Sequence, residues 1–160
     1  VAQTLAEQLS ALGYPGFAYL AARRRAKNPA EVLLRALAQD ELEARVVEAL
    51  PWVLVRYWDM DTHWLIQQAK LRDLQNRLGF VVSLARELAE RREPRNASQV
   101  HALTRLEATL EQSRLARKEA LGKRNLTARE REWLARNRSE TAGRWNLLTD
   151  WRVEGLPYAA

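Results

Sequence analysis

The stretch that decides the fold runs from residue 71 to residue 88 and reads LRDLQNRLGFVVSLAREL. Its apolar residues recur at alternating spacings of three and four positions, which is the period of one face of an α-helix. They are Leu71, Leu74, Leu78, Val81, Ala85 and Leu88. This heptad-like pattern predicts a long helix over 62–92 that packs an apolar seam against a neighbouring helix.

The next segment carries a matching seam. Residues 97–121 place Leu103, Leu106 and Leu110 at the same spacings. The link at 92–95 is short, and short links join antiparallel neighbours. We therefore expect a long central antiparallel hairpin.

Repeated helix-start signals surround this hairpin. Asn28-Pro29-Ala30-Glu31 and Thr127-Ala128-Arg129-Glu130 each place a capping residue three positions before a glutamate, and that arrangement is typical of a helix N-terminus. No strand-like alternation persists in the sequence. The predicted helices are 2–12, 16–26, 29–38, 41–57, 62–92, 97–121, 128–137 and 140–148.

The sequence therefore predicts an all-α fold, a helical bundle with a long central antiparallel hairpin and shorter flanking helices. Its 160 residues are typical of one domain. We divide that domain into short N-terminal helices at 1–58, the hairpin at 59–122 and a tryptophan-anchored helical tail at 123–160. A short HEAT-like stack of the helix pair in 29–57 is an alternative architecture.

Composition excludes several classes of function. Cysteine is absent and histidine occurs only twice, so disulfide scaffolds, thiolate metal sites and cysteine nucleophiles are excluded. No apolar run is long enough to span a bilayer, and the N-terminus lacks a signal-peptide pattern. We expect a cytoplasmic protein with no membrane association, no cofactor and no resident metal.

One short segment offers an enzymatic alternative. Asp59, Asp61 and His63 stand at alternate positions and could ligate a divalent cation. The same residues also fit an ordinary helix start, where aspartate caps the backbone. No phosphate-binding loop, Ser/His/Asp set or HExxH motif occurs, so we expect a protein that is not an enzyme, and no small-molecule substrate is indicated.

The charge distribution points to an anionic partner. The chain has a net charge of +6, most of it in the C-terminal half, and a basic surface of this kind binds nucleic acid. The candidate nucleic-acid-binding stripe consists of Arg114, Arg117, Lys118, Lys123, Arg124 and Arg129. A solvated helix surface is the competing interpretation. A helix-turn-helix over 4–27 fits poorly, because apolar side chains dominate its second helix.

Tryptophans are abundant, with six in the chain. Trp133, Trp145 and Trp151 lie in the C-terminal third, where aliphatic residues are sparse. Large rings can dock a short tail onto a bundle, and tryptophan is also enriched among the residues that dominate interface energetics. Both interpretations remain open, and the three residues are the candidate partner-binding set.

Four stretches resemble a recurrent bacterial protein type: Asn28–Leu34, Glu48–Trp52, Gln68–Gly79 and Arg144–Asp150. They are similar to uncharacterised helical proteins and domains associated with bacterial transcriptional regulators and antitoxins. The resemblance implies a non-catalytic role in regulation, through protein contact and possible DNA binding. It assigns no functional residue.

Two hypotheses follow for function. The first is a regulatory or antitoxin-type protein that acts through protein–protein contacts, either with a partner or by self-association. The second is a nucleic-acid-binding accessory domain that uses the basic stripe. Salt dependence separates them, because binding through phosphate contacts weakens steeply as salt rises.

Overall fold

A computed structural model describes residues 4–20 and 26–158 of the chain. This part is mostly helical, as predicted, with eight α-helices and two short strands. The helices are α1 (Leu5–Ala11), α2 (Pro29–Leu37), α3 (Ala44–Arg56), α4 (Thr62–Leu71), α5 (Gln75–Arg91), α6 (Ala97–Glu111), α7 (Ala128–Asn137) and α8 (Glu140–Arg144). The strands β1 (Glu119–Ala120) and β2 (Leu147–Leu148) pair in parallel. In the described ranges, no helix combines the length and apolarity needed to cross a membrane.

Side-chain caps start α2, α6 and α7 where the sequence predicts them, whereas α3 begins without one. The side chain of Asn28 accepts from the amide of Ala30 at the start of α2, and Asn96 caps α6 in the same way. Thr127 and Glu130 form a complete capping box at the start of α7. A cap of this kind stabilises a helix by about 1 kcal/mol. The predicted bounds of α7, 128–137, are confirmed.

Helix α5 lies at the centre of the molecule. Most of its residues are buried, and it packs against α3, α6 and α8. The segment 107–115 runs in the opposite direction to α5, because Ser83 contacts Glu107 and the earlier residue Asn76 contacts the later residue Leu115. The predicted seam residues Leu78, Val81, Ala85 and Leu88 are all buried.

The predicted helix over 62–92 is wrong in its continuity. The chain leaves the helix after Leu71, and Asp73 takes a φ of 54° before α5 begins at Gln75. Because of this break, Leu71 does not belong to the buried seam and is 78% exposed. The two continuous long helices predicted for the hairpin are accordingly not formed, and α5 and α6 are the helices that pack together at the centre.

Four other helix predictions need correction. Helix α6 ends at Glu111 instead of continuing to 121, α8 ends at Arg144 instead of 148, and α3 starts at Ala44 instead of 41. In place of the helix at 16–26 there is one 3-10 turn at Pro15–Phe17, and residues 21–25 of that prediction lie outside the described residues.

The C-terminal segment docks on the hairpin through polar and aromatic contacts. The Trp145 ring is completely buried, and its Nε1 donates to the Ser83 hydroxyl at 2.8 Å. Arg144 donates to both carboxylate oxygens of Glu111 at 2.9 and 2.6 Å, which holds the pKa of Glu111 below its usual range. The tail is thus fixed to α5 and α6 at a defined register.

Candidate functional site: an apolar groove beside α7

An apolar groove opens along α7. It is bounded by the start of α3, the segment 121–123, α7 itself and the residues that follow β2. Its volume is about 490 Å³, which is within the size range of ligand-binding pockets. Its apolar lining consists of Leu42, Ala44, Val47, Leu121, Trp133, Leu134, Leu148 and Trp151. We call this feature the α7 groove.

A glycine brings one side of the groove close to α3. The carbonyl of Gly122 accepts from the amide of Leu42 at 3.1 Å, and Gly122 has a φ of 76°. A Cβ at this position would lie 3.1 Å from Cγ2 of Val47. Glycine tolerates both the positive φ and the close approach, so the segment lies directly on the start of α3.

Helix α7 forms the opposite wall with little burial of its own. Of its ten residues, Leu134 is the only buried one, whereas Trp133 is 51% exposed. The tail adds one tie, because Arg152 donates to the carbonyl of Asn137 at 2.6 Å. The helix therefore presents a large aromatic side chain at the groove instead of covering it.

The capping box uses one of the acidic residues that line the groove. The carboxylate of Glu130 accepts from the amide of Thr127 at 3.2 Å. This backbone hydrogen bond, together with the Thr127 side chain, lowers the pKa of Glu130. The charge of Glu130 is thus engaged in starting α7.

Only part of the predicted basic stripe reaches the groove. Lys123 and Arg129 line it, and neither forms an ion pair with another residue in the described ranges. Arg124 lies beside Lys123 in an adjoining hollow, with its guanidinium 4.0 Å from the carboxylate of Asp40. Two cations of the described residues therefore line the groove without an ion pair, although Lys123 contributes to the lowered pKa of Glu130.

The rest of the stripe lies elsewhere. Arg114 donates to the carbonyl of Arg144 at 2.7 Å, Arg117 lies 3.7 Å from the carboxylate of Glu119, and Lys118 is exposed. None of the three lines the groove. The helix predicted to carry Arg114, Arg117 and Lys118 is not formed, because α6 ends at Glu111, and a nucleic-acid-binding role for the six residues stays a prediction.

The three tryptophans predicted to bind a partner do not all lie together in the structure. Trp133 and Trp151 both line the groove, as a partner-binding role requires. Trp145 has no exposed surface, so its assignment to a partner-binding surface is wrong. For this residue the alternative interpretation, docking of the tail onto the bundle, is confirmed.

The rim of the groove has mixed charge. Asp150 lines it together with the two cations, and Glu41 and Glu43 line the adjoining hollow beside Lys123. No histidine, serine or cysteine is among the described residues that line the groove. An apolar interior with charges of both signs at its edge suits non-covalent recognition.

The apolar wall that sequence reasoning missed is assembled from distant segments. Leu42 precedes α3, Val47 lies in the first turn of α3, and Leu148 comes from β2, which pairs with β1. Strands of two residues leave no alternating pattern that could reveal such a pairing. Among the segments that form the groove, only α7 carries a local sequence signal, its capping box.

The segment at 59–63 has a structural role. The carboxylate of Asp61 caps α4 by accepting from the amide of Trp64 at 3.2 Å. Across residues 4–20 and 26–158, no three histidine or acidic side chains come together as a metal site would require.

Comparisons with known proteins identified no relative of this chain. No family model matches the chain. No curated protein and no solved structure is significantly similar to it.

Proposed function

We propose that the protein is a non-enzymatic, cytoplasmic binding protein of regulatory or antitoxin type that holds a short segment of a protein partner in the α7 groove. The observation that carries this proposal is the half-exposed ring of Trp133, which stands with Trp151 at an apolar groove. Exposed apolar surface that is contiguous and rimmed by polar residues marks interaction sites.

The physical case begins with desolvation. Burying the exposed half of a tryptophan removes a large apolar surface from water, and a groove that is already lined by leucine and valine adds to that gain. A partner segment with one large aliphatic or aromatic side chain could fill the groove. Trp133 would then behave as an interface residue with a large effect on affinity.

The charges at the rim favour a peptide over a polyanion. Lys123 and Arg129 attract carboxylates, whereas Asp150 and the nearby Glu41 and Glu43 repel them. A protein segment can offer charges of both signs in complementary positions. A chain of phosphates cannot, because every one of its charges is negative.

Selection of random peptides displayed on phage, with the full chain as bait, tests this proposal. We expect enriched peptides to share a large apolar residue. In titrations with a synthetic peptide of that sequence, Trp133→Ala should weaken binding by about tenfold or more, as residues at the centre of interfaces do. The matched control is Tyr19→Ala, because Tyr19 is 68% exposed and lies outside the groove.

Two outcomes would contradict the proposal. Either no peptide is enriched, or Trp133→Ala and Tyr19→Ala weaken the binding of the selected peptide equally. Thermal melting of both variants shows that the fold is intact. Sedimentation at several concentrations shows whether a second copy of the chain occupies the groove. In that case, Trp133→Ala should shift the equilibrium toward monomer.

Nucleic-acid binding is the second candidate. It is favoured by one observation, the exposed ring of Trp133 next to two unpaired cations, since single-stranded nucleic acids bind through stacking on aromatic rings and contacts to phosphates. Fluorescence anisotropy with labelled single-stranded DNA, duplex DNA and RNA across a salt series tests it. Binding that collapses with salt, and is lost in the double variant Lys123→Glu and Arg129→Glu, would support this candidate over the first.

A further inference from the structure

A second and smaller cavity lies where the end of α3 meets the start of α6. Its volume is about 360 Å³, and its lining residues are Val55, Arg56, Trp58, Arg92 and Gln99. None of them lines the α7 groove. We propose that this Gln99 cavity binds a small phosphorylated ligand that carries an O–H or N–H donor near its phosphate.

The first observation is an unpaired buried amide oxygen. Gln99 is 1% exposed, and its Nε2 donates to the carbonyl of Val55 at 2.8 Å. That bond fixes the orientation of the amide, because only the nitrogen can donate to a carbonyl. Its Oε1 has no hydrogen-bond donor within the described residues. A ligand hydroxyl or amine could supply that donor and remove the cost of the unsatisfied oxygen.

The second observation is a pair of arginines without anionic partners. In the described ranges, neither Arg56 nor Arg92 forms an ion pair, although the guanidinium of Arg56 lies 5.0 Å from the centre of the Tyr57 ring. Several other arginines of the described residues are paired with carboxylates within the fold; Arg144, for example, is paired with Glu111.

Arg56 and Arg92 are both exposed and both line the cavity, so an anion bound there is within reach of two guanidiniums. Guanidinium groups bind phosphate oxygens through paired N–H donors. The acidic residues that follow Trp58 and Arg92 in the chain, Asp59 and Glu93, do not line the cavity. The lining therefore carries only positive formal charge, which is the electrostatic requirement of a phosphate.

The third observation sets the size and shape of the ligand. Trp58 is partly buried and offers an aromatic surface to the body of a bound molecule. The cavity can accommodate a small sugar phosphate or a mononucleotide. Both carry a phosphate and neighbouring hydroxyl groups, so both meet the chemistry of Gln99, Arg56 and Arg92.

Isothermal titration of the full chain with three probes tests the proposal: inorganic phosphate, ribose 5-phosphate and uridine monophosphate. We expect at least one hydroxyl-bearing probe to bind more tightly than inorganic phosphate. Arg56→Gln and Arg92→Gln should each weaken that binding by about tenfold or more, the loss expected for one hydrogen bond to a charged group. The matched control is Arg105→Gln, which removes an exposed arginine of α6 that lines no described cavity, and it should change the affinity by less than about twofold.

Nuclear magnetic resonance tests the role of Gln99 in the wild-type protein, without a substitution at that residue. On titration with the tightest probe, the side-chain amide of Gln99 and the indole N–H of Trp58 should shift together and saturate with the calorimetric affinity. Tighter binding of uridine monophosphate than of ribose 5-phosphate would assign the ligand as a nucleotide. Equal or weaker binding would assign it as a sugar phosphate.

The proposal is overturned by any of three results. None of the probes binds, or inorganic phosphate binds as tightly as the other two, or Arg105→Gln weakens binding as much as Arg92→Gln. The last result would mean that net charge alone attracts the anion.

Discussion

The indole of Trp145 occupies the space that a side chain on residue 79 would need. A Cβ atom built on Gly79 would lie 2.3 Å from Cζ3 of Trp145, far inside van der Waals contact. The ring is completely buried and is held by its hydrogen bond to Ser83. The absence of a side chain in the middle of α5 is therefore what lets the C-terminal segment dock.

Gly79→Ala should destabilise the protein by about 1–3 kcal/mol, the usual cost of overpacking a core. This sign is opposite to the effect of alanine in an ordinary helix, where it is favoured over glycine by about 1 kcal/mol. Urea denaturation measures the change. Gly143→Ala is the matched control in α8, because its Cβ would lie 3.6 Å from the nearest atom, Nε of Arg138. If both variants were equally stable, the close contact with Trp145 would be without energetic consequence.

Asn76→Ala should cost about 1–3 kcal/mol, because it leaves the partly buried Leu115 amide without an acceptor, whereas the Leu115 carbonyl keeps its hydrogen bond from Nδ2 of Asn146. Asn76 is fully buried; its Nδ2 donates to the carbonyl of Leu115 at 2.9 Å, and its Oδ1 accepts from the Leu115 amide at 2.8 Å. Hydrogen exchange should show faster exchange of the Leu115 amide in the variant. Asn125→Ala, at an exposed position, should leave stability and exchange unchanged; a similar loss there would contradict this assignment.

The parts of the fold that the sequence predicts well are those set by local interactions. The capping box of Thr127 and Glu130 defines the start of α7, and the apolar spacing between Leu78 and Leu88 identifies the buried face of α5. Both signals act within a few residues along the chain. They depend little on the rest of the fold.

The break at Asp73 could not be predicted in the same way. The heptad spacing continues through it, and no glycine or proline marks it. The chain turns there because Leu74 is buried in the core, whereas Leu71 faces solvent, and this choice depends on the packing of α4 against α2. Tertiary packing outweighs local helix preference here.

The sequence identifies four of the residues that line the α7 groove, but it does not show that they lie together. Lys123, Arg129, Trp133 and Trp151 were all candidates from the sequence, but in two separate sets with different proposed roles. They meet because β1 pairs with β2 and because the amide of Leu42 donates a hydrogen bond to the carbonyl of Gly122. These contacts join residues far apart in the chain, and no local pattern encodes them.

Asp73→Gly should stabilise the protein by about 0.5–1 kcal/mol. Asp73 has a φ of 54° directly after the end of α4, a conformation that costs an L-residue about 1 kcal/mol or more and that glycine adopts freely. Asp73→Ala is the matched comparison, since it removes the carboxylate and keeps the Cβ, and it should not stabilise. A gain in melting temperature for both variants would show that the charge of Asp73, and not its backbone conformation, is unfavourable.

Glu119→Gln should stabilise the protein at neutral pH by about 1 kcal/mol, because the ionised carboxylate is poorly compensated. Its Oε1 has no hydrogen bond. Nε of Arg77 lies 3.9 Å from Oε1 and Nε of Arg117 lies 3.7 Å from Oε2, and both distances are too long for a hydrogen bond. Burial raises the pKa of Glu119 above its ordinary value of 4.5, although Arg77 and Arg117 act in the opposite direction.

The pH dependence of this effect follows from the direction of the shift. The folded protein binds the proton of Glu119 more tightly than the unfolded chain does, so wild-type folding becomes more favourable as the pH falls from the raised pKa toward 4.5. The advantage of the glutamine should therefore shrink across that window. Urea denaturation at neutral pH and near pH 4.5 measures it, with Glu132→Gln as the exposed control. A variant that is less stable than wild type at neutral pH would mean that the attraction of Arg77 and Arg117 outweighs the cost of burying the charge.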